Sequence, residues 1–404
     1  MNELERIDPR VLGQRLAEAR KARGVTQQTA AKRLGMSRPT FIAIEKGSRR
    51  ATPAEVVKLA DLYGRTVHEF VRSGPPAVRL EPHLRAVVNA DEKRQEVFDA
   101  IGQLQRLADD YRQLEEVVGA RPFENYPPEV RPPRTNLVEF AEDVAVRERS
   151  RLHLGDQPIG DLRQVLENSV GVRVFCSPIP SNVAGMYAFV AELGYCILVN
   201  SKHPPERQRW TLAHEYGHFL SDRHKPGIDY TNATERVPAN ERFADAFATC
   251  FLMPATGVRQ QFFQIANHRG DFQVEDLCRI SSFYFVSLQA MTLRLESLGL
   301  IRKGTWGLLK EQGFRPESAK RALNLAGRET AKVEPYPIRY KYLAVMAYRK
   351  GEISEGQLAR YLRTDRVSAR EIVEQCVNRS DDIGPDGKGS IFEAPIDFSL
   401  LATP

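Results

Sequence analysis

The sequence predicts a mainly α protein with one small β-sheet, an α+β chain built from more than one part. Three observations lead there. Through residues 10–72, apolar positions recur at helical spacing between Ser/Thr caps and glycine stops. Three short runs rich in β-branched and aromatic residues, VRVFC (172–176), MYAFVA (186–191) and CILVN (196–200), read as strands. Two long helical segments follow them, near 205–221 and 239–252. At 404 residues the chain is too long for one ordinary domain.

The elements follow in order. Leu12, Leu16 and Ala19 mark a first helix that Gly24 ends. Thr26 caps a second through Leu34, stopped by Gly35. Ser37 caps a third, with Pro39 tolerated in its first turn and Gly47 beyond its end, and Thr52-Pro53 open a fourth that runs to Tyr63. These lie in a domain over 1–72. Residues 73–135 form a linker. Pro75, Pro76 and Pro82 begin it, and one helix over 84–118 follows. There Val97, Ile101, Leu104, Ala108 and Tyr111 alternate by four and three. That pattern suits either a weak coiled-coil seam or a helix packed on its own domain. The linker closes with 119–135, whose five prolines read as a stiff, extended, exposed spacer.

A third region covers 136–300: a helix at 137–151, another from Ile159 to Asn168, the strands, the two long helices, and a helical pair at 273–300 read as structural because its charge is not basic. Residues 301–404 form a helical C-terminal region with Ser354 and Ser368 as caps. The tail DDIGPDGKGSIF has Phe392 where a calcium loop needs glutamate, so no calcium site is expected there.

Charge separates the parts. Residues 1–72 hold 15 Lys+Arg against 8 Asp+Glu, whereas the rest of the chain holds 43 against 44. A basic module on a neutral body suits a polyanionic partner such as double-stranded DNA. No apolar run has the length to cross a bilayer, and MNELERIDPR lacks the apolar core of a signal peptide. Five cysteines, an odd number with no CxxC pair, fit reduced thiols in a cytosol. A cytoplasmic, nucleoid-associated protein with no membrane partner is expected.

The strongest chemical signal is WTLAHEYGHFL. His214 and His218, four residues apart, put both imidazoles on one helix face, where they can hold one zinc ion (Zn2+), and Glu215 between them can reach a water there. A catalytic zinc takes a third protein ligand. NERFADAFATCFLMP offers Glu241, with Asp245 one turn on to accept an N–H from a ligating histidine. His224 is the rival third ligand. Tyr187, His224 and Tyr230 are candidates to stabilise an oxyanion. VNSKHPPERQRWTLAHEYGHFLSD together with ERFADAFATCFLMP resembles the ImmA/IrrE family of metallopeptidases, from about Asn136 to Ile301. The resemblance implies a gluzincin-like fold and metal binding by the HExxH histidines and by the glutamate of an ExxA[ND]xFA segment, matched here by Glu241, Ala244, Asp245, Phe247 and Ala248. It also implies cleavage of helix-turn-helix repressors, releasing genes for stress response or mobile-element transfer.

TQQTAAKRLGMSRPTFIAIEKGSRR resembles the XRE/Cro helix-turn-helix family over residues 10–66, which implies a five-helix DNA-binding domain. Ala30, Leu34, Phe41 or Ile42, and Ile44 form the seam between the two motif helices. Gln27 opens the first, in reach of a phosphate. Ser37, Arg38 and Thr40 open the second, the end that enters the major groove. Lys46, Ser48, Arg49 and Arg50 lie beside the DNA backbone. The function expected is a DNA-binding transcriptional regulator, a homodimer on a palindromic operator, with a zinc metalloendopeptidase that cleaves a regulatory protein. The alternative is a transcription factor whose peptidase-like domain only senses metal, ligand or partner. The spacer's prolines fit poorly in a groove that pairs substrate as an added strand, which favours a separate substrate over self-cleavage.

Overall fold

The computed structural model describes residues 7–65, 67–71, 94–230, 238–325 and 334–381. The chain divides into two compact units, Met1–Glu81 and Pro82–Pro404. The expected linker at 73–83, the first ten residues of the helix placed at 84–118, and all but the first residue of the 381–392 tail lie outside the described residues.

In the first unit five helices surround one small core: α1 (Pro9–Ala22), α2 (Gln27–Leu34), α3 (Arg38–Glu45), α4 (Pro53–Tyr63) and α5 (Val67–Val71). Local chemistry fixes their ends. Thr26 and Ser37 accept from the backbone N–H three residues on, and Gly35 closes α2 in the left-handed conformation. Thr52 and Glu55 form a reciprocal capping box on α4. Leu16, Ala30, Phe41, Ile44, Val56 and Leu59 are buried together, so Phe41 is a core residue and Leu34 packs at its edge.

The second unit is a mixed four-stranded sheet between two helical layers. Its strands are β1 (Arg173–Ser177), β2 (Val183–Val190), β3 (Gly194–Asn200) and β4 (Gly227–Tyr230), in the order β1-β3-β2-β4. Only β1 and β3 run parallel. Both faces are covered, which is why the strand sequences read as continuous apolar runs rather than alternating ones. One face presents Val174, Cys176, Tyr187, Tyr195, Ile197 and Val199 to α9 (Pro205–Asp222), with Leu212, Ala213, Tyr216 and Phe219 opposite. On the other, Arg173 pairs with Glu115, Phe175 meets Tyr111 and Tyr340 edge-on, and Ser177 Oγ accepts from Gln103. Those partners lie on α6 (Arg94–Val118) and α16 (Ile338–Arg349).

The linker takes the second of its two readings at the helix, and its spacer lies on the body. The seam Val97, Ile101, Leu104, Ala108 and Tyr111 is buried within its own unit, against the sheet and α16, so no coiled coil is needed to cover it. The proline-rich 119–135 is laid along the body instead of spanning open solvent. Asn125 N–H donates to Val170 O (2.9 Å), Val130 N–H to Leu220 O (2.8 Å), and the Arg223 guanidinium holds Pro127 O. Prolines cannot donate, so the non-proline residues between them make these bonds.

The helix α7 (Leu137–Arg151) falls where the sequence puts it. The helix expected from Ile159 to Asn168 is α8 (Leu162–Val165) running into a π-turn at Leu166–Val170. After α9 and β4 come α10 (Ala239–Leu252), α11 (Ala255–Arg269), α12 (Val274–Phe283) and α13 (Leu288–Ser297), the last two being the expected pair. The C-terminal helices are not set apart from them. In α14 (Thr305–Glu311) and α15 (Pro316–Ala322), Leu309 is part of the same core, with Trp306 and Ala319 packed against it. After α16, α17 (Glu355–Tyr361) and α18 (Arg366–Asp381) pack on α16.

Candidate metal centre and DNA-reading surface

The metal-site residues are brought together where α9 crosses α10. At Gly217 a Cβ would lie 2.8 Å from Ala244 Cα, so glycine lets the two backbones meet there. Tyr216 anchors the same turn from behind, donating to the buried Glu148 on α7, itself paired with Arg151 (2.6 Å). The HExxH turn is buried, and both imidazoles meet Glu241 at the start of α10.

His214 Nε2, His218 Nε2 and Glu241 Oε2 form a triangle with sides of 3.0, 3.2 and 3.3 Å. Donors about 2.0–2.1 Å from a common tetrahedral zinc would stand roughly 3.3 Å apart, so this donor set fits zinc. The three residues form a metal-capable group among the described residues, and His224 is not in it. The His224 ring instead meets Phe189 edge-on at 4.9 Å. His214 Nδ1 lies 3.0 Å from Asp245 Oδ1, which can accept its N–H. The side chain of Tyr230 lies outside the described residues.

The electrostatics match a cation. Burial works against the His214 imidazolium, but Asp245 and Glu241 outweigh it and hold its pKa well above the usual value. Burial raises Glu241, and bonds to His214 and His218 overcome it, holding the carboxyl far below its usual range. Glu215 is fully buried, and neither carboxylate oxygen has a hydrogen-bond partner among the described residues. Burial, then the nearby Asp229 and Glu241, push its pKa well up, with His214 opposing. A buried carboxyl with no partner is costly and marks a place where chemistry overrides stability.

Two neighbours escaped the sequence reading. Gly185 leaves room for Glu215: a Cβ there would stand 3.1 Å from Glu215 Oε1 and 2.7 Å from Thr211 Cγ2. Across the sheet Gly185 pairs with Asp229 on β4, so the two share the face that looks at α9. Burial pushes the Asp229 carboxyl up, and His214, Glu241, Asp245 and His218 all bear on it. Both residues reach the site through strand register, which leaves no motif; a glycine beside a strand-like run was the available signal.

In the first unit the nucleic-acid candidates divide. Ser37, Arg38, Lys46 and Arg50 are exposed. Ser37 caps α3, its hydroxyl 2.7 Å from Thr40 Oγ1. Gln27 is held inside the domain: its amide donates to Glu45 Oε2 (2.8 Å), and its carbonyl accepts from Arg38 (3.3 Å). Arg49, expected beside the DNA backbone, makes a two-point ion pair with Glu55 at 2.8 and 3.1 Å.

Comparisons with known proteins cover both units. Residues 11–71 match a helix-turn-helix domain, and residues 167–296 match the IrrE N-terminal-like domain of peptidase family M78. No curated protein matches the chain. A solved structure, ComR from Streptococcus suis, aligns over 94% of this chain and 92% of its own at 12% identity, with a TM-score of 0.16, too low to indicate a shared arrangement. No helix among the described residues is long and apolar enough to cross a membrane. The chain thus joins an N-terminal helix-turn-helix domain to an IrrE N-terminal-like, M78-type peptidase domain.

Proposed function

We propose that the protein is a DNA-binding transcriptional regulator carrying a zinc metalloendopeptidase, and that the peptidase cuts a separate regulatory protein of repressor or antitoxin type. The observation that carries this is the donor triangle of His214, His218 and Glu241 beside the buried, unpartnered carboxylate of Glu215. Zinc held by those donors supplies a Lewis acid for a peptide carbonyl and for the attacking water. Glu215 takes the water's proton on its carboxylate and returns it to the leaving amine. Asp245 keeps the His214 proton on Nδ1. Gly185 keeps the space over Glu215 clear.

The helix-turn-helix supplies the address. Arg38, with Ser37 and Thr40, reads bases, while Lys46 and Arg50 contact phosphates, and two copies of the chain occupy a palindromic operator. Gln27 orients Arg38, and Arg49 is a brace on α4. Cleavage of a separate protein, set free in a stress or mobile-element response, is favoured over cutting within 119–135. That stretch is hydrogen-bonded to the peptidase body at Val170 and Leu220.

The test compares full-length wild type with Glu215→Gln. Both should bind zinc on titration, and only wild type should shorten a cellular regulator, a loss of roughly a hundredfold or more in cleavage. A wild type without zinc affinity, or a Glu215→Gln protein that cleaves as well as wild type, overturns the reading. Zinc binding by both without any cleavage under inducing conditions returns the domain to a sensor.

A further inference from the structure

We propose that Tyr187 is the positioning residue for His218, a stacked ring that does for this imidazole what the Asp245 carboxylate does for His214. The proposal rests on the metallopeptidase reading above. The two histidines stand one helical turn apart and are held differently. His214 Nδ1 has Asp245 at 3.0 Å. His218 is 2% exposed, yet its Nδ1 has no hydrogen-bond partner among the described residues. An imidazole held only at Nε2 is free to tilt about its own side-chain bonds.

The Tyr187 ring removes that freedom. It lies parallel to His218, with centroids 5.0 Å apart and planes within 14°. Tyr187 is itself stacked on Tyr195 at 5.5 Å and 26°, and the Tyr195 hydroxyl donates to the Glu215 carbonyl oxygen (3.1 Å). A column of three rings therefore runs from the sheet to the HExxH helix and returns to its backbone one turn from His218. Gly227 completes the arrangement. It pairs with Tyr187 across β2 and β4, and a Cβ there would run into the Tyr187 ring at Cε1 and Cζ. Glycine at 227 leaves the Tyr187 ring its place beside β4, and His218 Nε2 stays 3.3 Å from Glu241 Oε2.

Tyr187 therefore acts through its ring face, and its hydroxyl is dispensable for metal binding. Zinc affinity of the full-length protein, read by competition with a chromophoric chelator, tests this on wild type, Tyr187→Phe, Tyr187→Leu and Gly227→Ala. Absorption bands of the cobalt(II)-loaded forms report the coordination geometry. Tyr187→Phe keeps the stack and should bind zinc within about twofold of wild type with an unchanged cobalt spectrum. Tyr187→Leu keeps bulk without a ring face, and should weaken zinc roughly three- to tenfold and alter the cobalt bands. Gly227→Ala should do the same by displacing the ring while leaving Tyr187 in place. Circular dichroism of the metal-free forms identifies any variant that fails to fold, and the other then carries the test. Tyr187→Leu or Gly227→Ala, folded and binding zinc as tightly as wild type, overturns the proposal, as does Tyr187→Phe weakened as much as Tyr187→Leu. A wild type that binds no zinc fails the metallopeptidase reading instead.

Discussion

The helix pair α2–α3 and the helix pair α9–α10 treat buried charge in opposite ways. In the first, every carboxylate near the motif is answered from inside: Glu45 by Arg20 (2.6 Å) and Gln27, Glu55 by Arg49. The cations Arg38, Lys46 and Arg50 stand at the rim, exposed. In the second pair the acids are in excess, with Glu215, Glu241 and Asp245 gathered near two imidazoles, and the Glu215 carboxylate oxygens have no hydrogen-bond partner among the described residues. A surface that meets a polyanion can satisfy its own interior, because the ligand arrives at the edge. A centre that takes a small cation must hold unsatisfied donors at its middle. Internal satisfaction and function are compatible in the first case and opposed in the second.

The sharpest way to break that contrast is to remove the carboxylate that holds the outer nitrogen of His214. Asp245→Ala frees His214 Nδ1 and lets the ring choose the other tautomer. Zinc affinity, measured by chelator competition, should fall roughly 10–100-fold, with the fold retained. Asp245 sits in the middle of α10 with its side chain more than half exposed, so little packing is lost. An unchanged affinity would mean that the donor triangle is fixed by the helix crossing alone.

The crossing itself comes next. Gly217→Ala gains helix propensity worth about 1 kcal/mol, but its methyl would press on the Ala244 backbone at 2.8 Å, and a backbone cannot turn aside as a side chain can. The net expectation is a loss of about 1–2 kcal/mol in thermal or denaturant unfolding of the second unit, together with weaker zinc binding. Stability equal to wild type would show that the crossing has slack.

How much of this was legible follows from what kind of cause each feature has. Local causes were visible. Thr26, Ser37 and Gly35 announce the two motif helices, and the HExxH and ExxAD spacings announce α9 and α10 to within a residue. Register and long-range cover were not. The strand GIDY is four residues long and shows no alternation, so β4 was missed, and Asp229 with it. The segment 255–269 has no side-chain cap and spreads its apolar residues around the helix, which hid α11. The seam of α6 read equally well as a coiled coil because sequence gives the stripe and not its partner. The Glu55 partner of Arg49 was within reach of the sequence. The box Thr52-x-x-Glu55 lies a few residues beyond Arg49, and a carboxylate fixed at that point is a ready partner.

On the nucleic-acid side the contrast predicts unequal arginines. Arg38→Ala should weaken binding to the cognate operator roughly tenfold and to random DNA much less, since it stands at the N-terminal end of α3 beside Gln27. Arg50→Ala should weaken both alike and reduce the salt slope by about 0.9. Arg49→Ala should change the slope less than Arg50→Ala, because Glu55 already engages its guanidinium. Titrations at several salt concentrations on both DNAs separate the three. Equal slopes for Arg49→Ala and Arg50→Ala would place Arg49 on the phosphates after all.

The smallest effect belongs to the ion pair between Arg49 and Glu55. Burial raises the Glu55 carboxyl, but the bonds from Arg49 and from the Thr52 backbone overcome it and hold its pKa below the usual carboxylate value. A carboxyl lowered in the folded state binds fewer protons there than in the unfolded chain. Its contribution is therefore complete above the unfolded pKa and disappears as pH falls through the folded one. Glu55→Gln keeps the capping geometry at the third helical position and removes only the charge. Because Arg49 is 37% exposed, solvent screens the pair, and the expected cost at neutral pH is only about 0.5 kcal/mol. Unfolding of the first unit, followed from pH 7 down to about pH 3, should show wild type and Glu55→Gln separated at the upper end and converging at the lower. A separation that persists through acid would assign the cost to the capping bond and leave the Arg49 guanidinium without an energetic reason to stay on α4.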